Sequence, residues 1–182
     1  MKTNDSNYFL KPSDFFLTRK PMIIKTVLGS CVAITMFCKR TETAAVCHAM
    51  LPSCEEDNAC RNGICRDGIC QQRYKYVKCV IPEMIRRFNR LNIDALELEV
   101  KLFGGADMFN SVLSSRTVYH VGTRNIIMAR QIISKYELLV KNLDVGGAQG
   151  RKIFFNTQTG EVWLKRLYRE DIQACVEQAQ AV

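Results

Sequence analysis

A thiol nucleophile with a base to activate it is the first chemistry this sequence offers. The candidate thiol is Cys31, which follows the turn Leu28-Gly29-Ser30, and the two histidines are His48 and His120. The apolar runs Cys31–Phe37 and Ala44–Leu51 flank a polar connection around Lys39-Arg40-Thr41-Glu42. A hairpin turning between Lys39 and Arg40 sets Cys31 opposite His48 on one face of the pair, with Cβ atoms about 4.5–5.5 Å apart. A slip of one residue would send the two to opposite faces. Gly29 and Ser30 allow a tight turn close to a substrate, and amides around such a turn can converge on an oxyanion. The same residues also fit a plainer role, which on pattern alone is the commoner one. In it Cys31 is a small buried hydrophobe and His48 a satisfied core histidine. His120, within Val118-Tyr119-His120-Val121, reads as a structural or surface histidine.

Metal binding is the second possibility. Cys54, Cys60, Cys65 and Cys70 crowd a polar stretch, Ser53–Gln72, that has almost no apolar residues besides Ile64 and Ile69. Structural zinc sites usually space their thiols more tightly, as C-x2-4-C in two pairs. The spacing of Cys65 and Cys70 fits that pattern only loosely. Thiols in a polar loop are also oxidisable, so a redox-sensitive lid is the competing reading. With Cys38, Cys47, Cys79 and Cys175 the cysteines number nine, and complete internal pairing is impossible. The start, Met1–Lys11, carries Asn4, Asp5, Ser6 and Asn7 where a secretory signal needs an apolar run. A cytoplasmic protein without a disulfide framework is expected.

The elements that must hold these residues follow from periodicity. Residues 1–20 read as a polar start and a short amphipathic lead, and Met22–Val27 as a strand. Pro82–Leu91 reads as a helix with proline near its first turn, its Met84, Ile85, Phe88 and Leu91 forming a core-facing stripe. Leu96–Phe103 alternates apolar and charged residues as a half-buried strand, broken by Gly104-Gly105-Ala106. A helix is expected over Arg124–Tyr136 and a strand near Leu138–Val140. The runs Arg151–Phe155 and Glu161–Leu167 flank Asn156-Thr157-Gln158-Thr159-Gly160 as a hairpin, and Arg169–Gln180 reads as a terminal helix. Strands outnumber helices in mixed order. The expected class is α+β, with a mixed, largely antiparallel sheet and helices packed on it.

Composition narrows the function. The chain has 182 residues, 47% of them hydrophobic, which suits one domain over 1–182 with an inserted loop at about 53–72. Global disorder, a coiled-coil rod and a membrane-inserted helix are not expected. With 26 basic and 18 acidic residues the formal charge is +8, which favours an acidic partner. The densest basic stretch, Arg73, Lys75, Lys78, Arg86, Arg87 and Arg90, lies partly on the expected helix and reads as a solvated face, so nucleic acid is not the expected partner. Gly104-Gly105 and Gly146-Gly147 with Gly150 form neither phosphate-binding fingerprint, so no nucleotide site is expected.

Thr26-Val27-Leu28-Gly29-Ser30-Cys31-Val32-Ala33 followed by His48-Ala49-Met50-Leu51-Pro52 resembles the signature of the CheD family, the chemoreceptor glutamine deamidases. Three further segments fit: Lys101–Ala106, Gly122-Thr123-Arg124-Asn125, and Asp144–Gly147 with Gly150-Arg151-Lys152. The resemblance implies a single-domain α/β sandwich similar to deamidase toxins. It also implies a Cys-His-Thr triad in which Cys31, His48 and Thr26 take the three places, and it needs no metal or cofactor. The implied substrates are glutamine side chains of methyl-accepting chemotaxis receptors. The implied partner is CheC, a CheY-phosphate phosphatase, bound by a monomer or in a heterodimer. Three other functions fit the same residues: hydrolysis of glutamyl methyl esters at the same thiol, non-catalytic regulation of the phosphatase, and zinc-dependent nucleic-acid binding through the cysteine cluster.

Overall fold

The computed structural model describes residues 6–54, 60–61, 64–65, 72–107 and 120–167. In chain order these form β1 (Ser6–Phe9), β2 (Phe15–Thr18), β3 (Met22–Leu28), β4 (Val32–Cys38), β5 (Thr43–Ala49), β6 (Cys60–Arg61), β7 (Ile64–Cys65), α1 (Val77–Asn89), β8 (Leu98–Gly104), α2 (Val121–Lys135), β9 (Leu139–Val145), β10 (Gly150–Asn156) and β11 (Val162–Leu167). A five-stranded sheet has the order β2-β5-β4-β8-β9, and a four-stranded sheet the order β1-β3-β10-β11. Only β1 with β3 and β8 with β9 pair in parallel among the described strands. The fold is therefore α+β with mixed, mostly antiparallel sheets, as the sequence pattern indicates.

The five-stranded sheet forms the middle layer. One face of β4 and β5, with Ile34, Met36, Ala45 and Cys47, packs on Val80, Met84 and Phe88 of α1 and Ala129 and Ile132 of α2. The other face, with Ala33, Phe37, Ala44 and Val46, meets Ile24, Leu28, Ile153 and Phe155 of the four-stranded sheet. Every residue of β4 and β5 is buried. That is why both runs are mostly apolar, with Thr35, Thr43 and His48 the polar residues, rather than alternating.

Four expectations need correction. The N-terminal lead contains two strands: β1 joins one sheet and β2 the other. The first helix begins at Val77, and Pro82 lies inside it. Its start is fixed by the chain leaving β5, because Leu51 and Pro52 carbonyls accept from the Val77 and Lys78 amides, which a helix N-terminus leaves without internal partners. Within the expected apolar stripe, Met84, Ile85 and Phe88 are buried, but Leu91 is exposed beyond the helix end. The β4–β5 hairpin turns later than expected, with Cys38 opposite Thr43. A two-residue turn at Lys39-Arg40 would need a positive φ at Lys39 or at both residues, which long side chains resist. The chain instead loops through four residues, with Glu42 alone in the left-handed region at φ 49° and Arg40 tied to Glu97 at 2.5 Å. The terminal helix expected over Arg169–Gln180 lies outside the described residues, as do Cys70 and Cys175. Among the described residues no helix is long and apolar enough to cross a membrane.

Candidate active site

The later turn changes the pairing of the two candidate residues. Ala33, not Cys31, stands opposite His48. The shift is by two residues, and the pleat has a period of two, so Cys31 keeps the face of Ala33 and lies diagonal to His48 just before β4 begins. Diagonal neighbours stand about 7–8 Å apart between backbones, closer between side chains. Cys31 is half-buried and packs with Leu28, Ala33, Phe103 and Ile153.

Thr26 lies on β3, in the other sheet, yet its side chain crosses the interface between the sheets. Its Oγ1 donates to the Leu10 carbonyl at 2.8 Å and lies 2.8 Å from His48 Nδ1. A threonine hydroxyl has one proton, and a carbonyl can only accept it. His48 must then be the donor, through Nδ1–H, to the lone pairs of Thr26. That tautomer leaves Nε2 unprotonated. His48 Nε2 is buried with no hydrogen-bond partner among the described residues. The arrangement is that of a base whose far nitrogen is fixed by a third group. Burial pushes the His48 imidazole down to about 4, with the Leu10 carbonyl opposing the shift. Burial also pushes the Cys31 thiol up to about 11, with its own backbone amide opposing. Both effects favour the neutral forms of the thiol and of the imidazole.

The backbone around these residues is held from several sides. The His48 amide donates to the Asp14 carbonyl at 3.0 Å, and the His48 carbonyl accepts from Ser13 at 2.9 Å. In the loop joining the sheets, the Gly29 carbonyl accepts from Ala106, that of Cys31 from Gly105, each at 2.8 Å, and that of Ser30 from Asn125 Nδ2 at 2.9 Å. Asn125 also donates to the Met50 carbonyl at 2.9 Å. This fully buried carboxamide thus joins the chain before the thiol to the chain after the histidine. Glycine is required where β8 ends: Gly104 has φ +107°, and a Cβ there would lie 2.2 Å from the Cys31 carbonyl oxygen.

His120 stands elsewhere, at the start of α2, half exposed and 3.7 Å from an Asp107 carboxylate oxygen. Of the four clustered cysteines only Cys54 has a described side chain. It is buried, with its sulfur 4.0 Å from that of Cys79. Cys60 and Cys65 are opposite each other on the short β6–β7 pair. Leu10, Asp14 and Asn125 are the contributors that residue reasoning missed. The first two act through backbone carbonyls, which carry no side-chain signal. Asn125 ends the Gly122–Asn125 segment, where its type alone indicated no role.

Comparison with known proteins identifies the family. The family model described as CheD chemotactic sensory transduction matches residues 60–166. The chain is 42% identical over 163 residues to the "Probable chemoreceptor glutamine deamidase CheD 2" of Geobacter sulfurreducens, covering 90% of this chain and 91% of that one. It is 39% identical over 160 residues to a probable chemoreceptor glutamine deamidase CheD of Maridesulfovibrio salexigens, covering 87% and 91%. A Methanococcus maripaludis protein of the same name is 33% identical over 156 residues, covering 86% and 92%. On these matches, the chain belongs to the CheD family.

Proposed function

We propose that this protein hydrolyses glutamine side chains of chemotaxis receptors to glutamate, with Cys31 as nucleophile, His48 as base and Thr26 as the residue that orients the base. The observation that carries the reading is the Leu10–Thr26–His48 chain of hydrogen bonds, which leaves Nε2 as the acceptor. The names of the relatives supply the substrate class.

The raised thiol and lowered imidazole set the order of events. No thiolate accumulates in the resting enzyme; His48 Nε2 takes the Cys31 proton as sulfur bonds to the carboxamide carbon. The tetrahedral oxygen becomes negative. The carbonyls of Gly29 and Ser30 are turned toward Ala106 and Asn125. In a trans peptide the next N–H points the opposite way. The amides of Ser30 and Cys31 are therefore the donors available to that oxygen. The imidazolium returns its proton to the departing nitrogen, ammonia leaves, and a thioester remains. Nε2 then takes a proton from water, hydroxide adds to the thioester carbon, and the thiol departs with the proton, leaving glutamate. Throughout, Thr26 keeps Nδ1–H engaged and stabilises the ring when it is charged.

The test is mass spectrometry of a receptor cytoplasmic fragment incubated with the protein, read for the mass gain of amide-to-acid conversion at specific glutamines. Wild type should convert them and release ammonia, while Cys31→Ala should not. Release of methanol from a methylated receptor without ammonia would favour the esterase reading of the same site. Family resemblance extends the proposal to a CheC-type phosphatase partner that restrains the activity, to a cytoplasmic location, and to one domain with residues 53–72 as its insert. Zinc-dependent nucleic-acid binding is disfavoured by Glu83, a buried carboxylate that pairs with Arg86, with Arg87 at 2.8 Å and with Arg73 at 3.9 Å and so occupies three cations of the densest basic stretch.

A further inference from the structure

The turn that joins β1 to β2 is built against His48. Carried on from Phe15 opposite Cys47, the register of β2 on β5 sets Asp14 opposite His48. The Asp14 carbonyl accepts from the His48 amide at 3.0 Å, and the Ser13 amide donates to the His48 carbonyl at 2.9 Å. Lys11-Pro12-Ser13-Asp14 form a β-turn in which the Asp14 amide donates to the Lys11 carbonyl at 3.1 Å. Ser13 has φ 66°, the left-handed value that the third residue of a type II turn requires and that glycine or asparagine usually fills. A serine there is strained, so the tight turn persists because its surroundings hold it.

Asp14 makes a further bond through its side chain. Its Oδ2 accepts from the Lys11 amide at 3.0 Å. That amide and the Leu10 carbonyl belong to one peptide unit, and in a trans peptide the two point in opposite directions. The Leu10 carbonyl is the group that takes the Thr26 hydroxyl proton, at 2.8 Å. Four groups therefore stand in series: the Asp14 carboxylate, the Leu10–Lys11 peptide, the Thr26 hydroxyl and His48 Nδ1. In such a chain each hydrogen bond polarises the next. A carboxylate on the amide makes the carbonyl of the same peptide a stronger acceptor and fixes the direction in which it points. The series runs inward, from the half-buried Asp14 to the buried Leu10, Thr26 and His48.

We propose that Asp14 is a positioning residue for the reaction at Cys31, acting on the His48 ring through the Leu10–Lys11 peptide and Thr26. With the Leu10 carbonyl held, Thr26 donates to it and has only lone pairs left for His48, so the ring keeps its proton on Nδ1 and its acceptor on Nε2. The carboxylate sets direction only, and no proton moves along the series in the resting protein. Without it the peptide is free to tilt and the hydroxyl to turn toward Nδ1. The ring proton then passes to Nε2, and that nitrogen can no longer take the Cys31 proton. The effect on rate rests on the reading of His48 as the base; the effect on the tautomer does not.

The experiment follows the ring nitrogens of His48 by NMR in the full-length protein carrying isotope-labelled histidine, in parallel with kcat and KM for a receptor cytoplasmic fragment. In wild type the proton should reside on Nδ1 alone. Asp14→Ala should show a mixture of tautomers and lower kcat about tenfold with KM within about twofold, the size of one lost hydrogen bond. Asp14→Asn keeps a side-chain oxygen for the Lys11 amide and should restore the tautomer, with kcat within about threefold of wild type. Asp94→Ala removes a similar bond, to the Leu96 amide at 2.8 Å, from a cap near the β4–β5 turn and should alter neither. The relay is overturned if the wild-type ring carries its proton on Nε2, if Asp14→Ala keeps both tautomer and kcat, if Asp14→Asn is as impaired as Asp14→Ala, or if Asp94→Ala shifts the tautomer as far. Should Asp14→Ala fail to fold by circular dichroism, wild type decides. Scalar coupling across the hydrogen bond from the Lys11 amide nitrogen to the Asp14 carboxylate carbon should then be present, and its absence overturns the relay. The tautomer is read without substrate, so a wild type that converts no receptor glutamine overturns the glutaminase reading, while the ring still decides the relay.

Discussion

Thr26 gives its one proton to the Leu10 carbonyl and accepts that of His48 Nδ1, and this relay is testable by removing the hydroxyl alone. Thr26→Val keeps the shape but leaves the Leu10 carbonyl and His48 Nδ1 without their partner. Leaving buried groups unsatisfied costs about 1–3 kcal/mol, so the melting temperature should fall. The ring is then free to choose the other tautomer, and kcat should drop at least tenfold with KM little changed, while Thr26→Ser should recover most of the rate. Loss of a general base costs about 10²–10⁴ in rate, the expected effect of His48→Ala, whereas His120→Ala should leave kcat near wild type. The raised thiol makes a further prediction. Alkylation of Cys31 by iodoacetamide should climb steadily from pH 7 through pH 9 with no plateau, because the thiol is held up at about 11. A plateau below pH 7 would mean a preformed thiolate and would refute proton transfer during attack. The buried imidazole also makes stability depend on pH. Its folded value of about 4 lies below the ordinary 6.5, so the ring is neutral in both states above pH 6.5 and its contribution is then at full value. Between 6.5 and 4 the unfolded chain takes up a proton that the folded chain refuses, and stability falls by about 3 kcal/mol. His48→Gln should remove that part of the slope in a pH series of denaturant melts.

Among the elements, the ends of β8 and α2 matter more to the thiol than the strand that follows it. Gly105, Ala106 and Asn125 hold the carbonyls of residues 29–31, and the β9–β10 turn is hooked on behind them through Gly146 N–H to the Gly104 carbonyl and Asp107 N–H to that of Gly147, each at 2.9 Å. Arg151, fully buried, keeps that turn in place by donating to Asp144 and to the Gly146 carbonyl. The three glycine-bearing segments are thus one scaffold seen in three places. Asn125→Ala should lower kcat more than tenfold and leave the receptor KM within about threefold, since the side chain holds the loop before Cys31 rather than any substrate. Asn125→Asp, which loses the two donors, should do the same, and wild-type kcat in both variants would show that the loop holds itself. Sequence made the strands themselves legible, because their apolar runs and turn residues are local signals. The register of β4 on β5 was not legible, because it depends on whether the loop spends two residues or four. The face shared by Cys31 and His48 survived the error only because the slip was even. The N-terminal strands were missed for a related reason: each is four residues long and takes its meaning from a distant partner.

On the scale of the whole molecule, the three layers leave one sheet face uncovered by the described helices. On β3 and β10, Ile24, Thr26, Leu28, Ile153 and Phe155 turn inward, and Lys25, Lys152 and Phe154 alternate with them on the other side. Register sets Lys25 and Trp163 on either side of Phe154, and Lys165 beside Lys152. Both Lys25 and Lys152 lie over the Phe154 ring, at 5.8 and 5.7 Å, and Trp163 is 51% exposed. The excess of +8 therefore has at least one concentrated patch, on the strand that carries Thr26 on its inner side. Receptor segments rich in carboxylates would be drawn to such a face, and attraction of that kind acts mainly on the rate of encounter. It weakens as salt shortens the Debye length from about 30 Å at 0.01 M to about 8 Å at 0.15 M. The double substitution Lys25→Glu with Lys152→Glu reverses two charges without touching the inner layer. It should raise KM for a receptor fragment about tenfold at low salt, leave kcat unchanged, and flatten the decline of kcat/KM with added salt. If kcat/KM and its salt dependence match wild type, the substrate approaches by another face, and the basic residues of this sheet serve solubility alone.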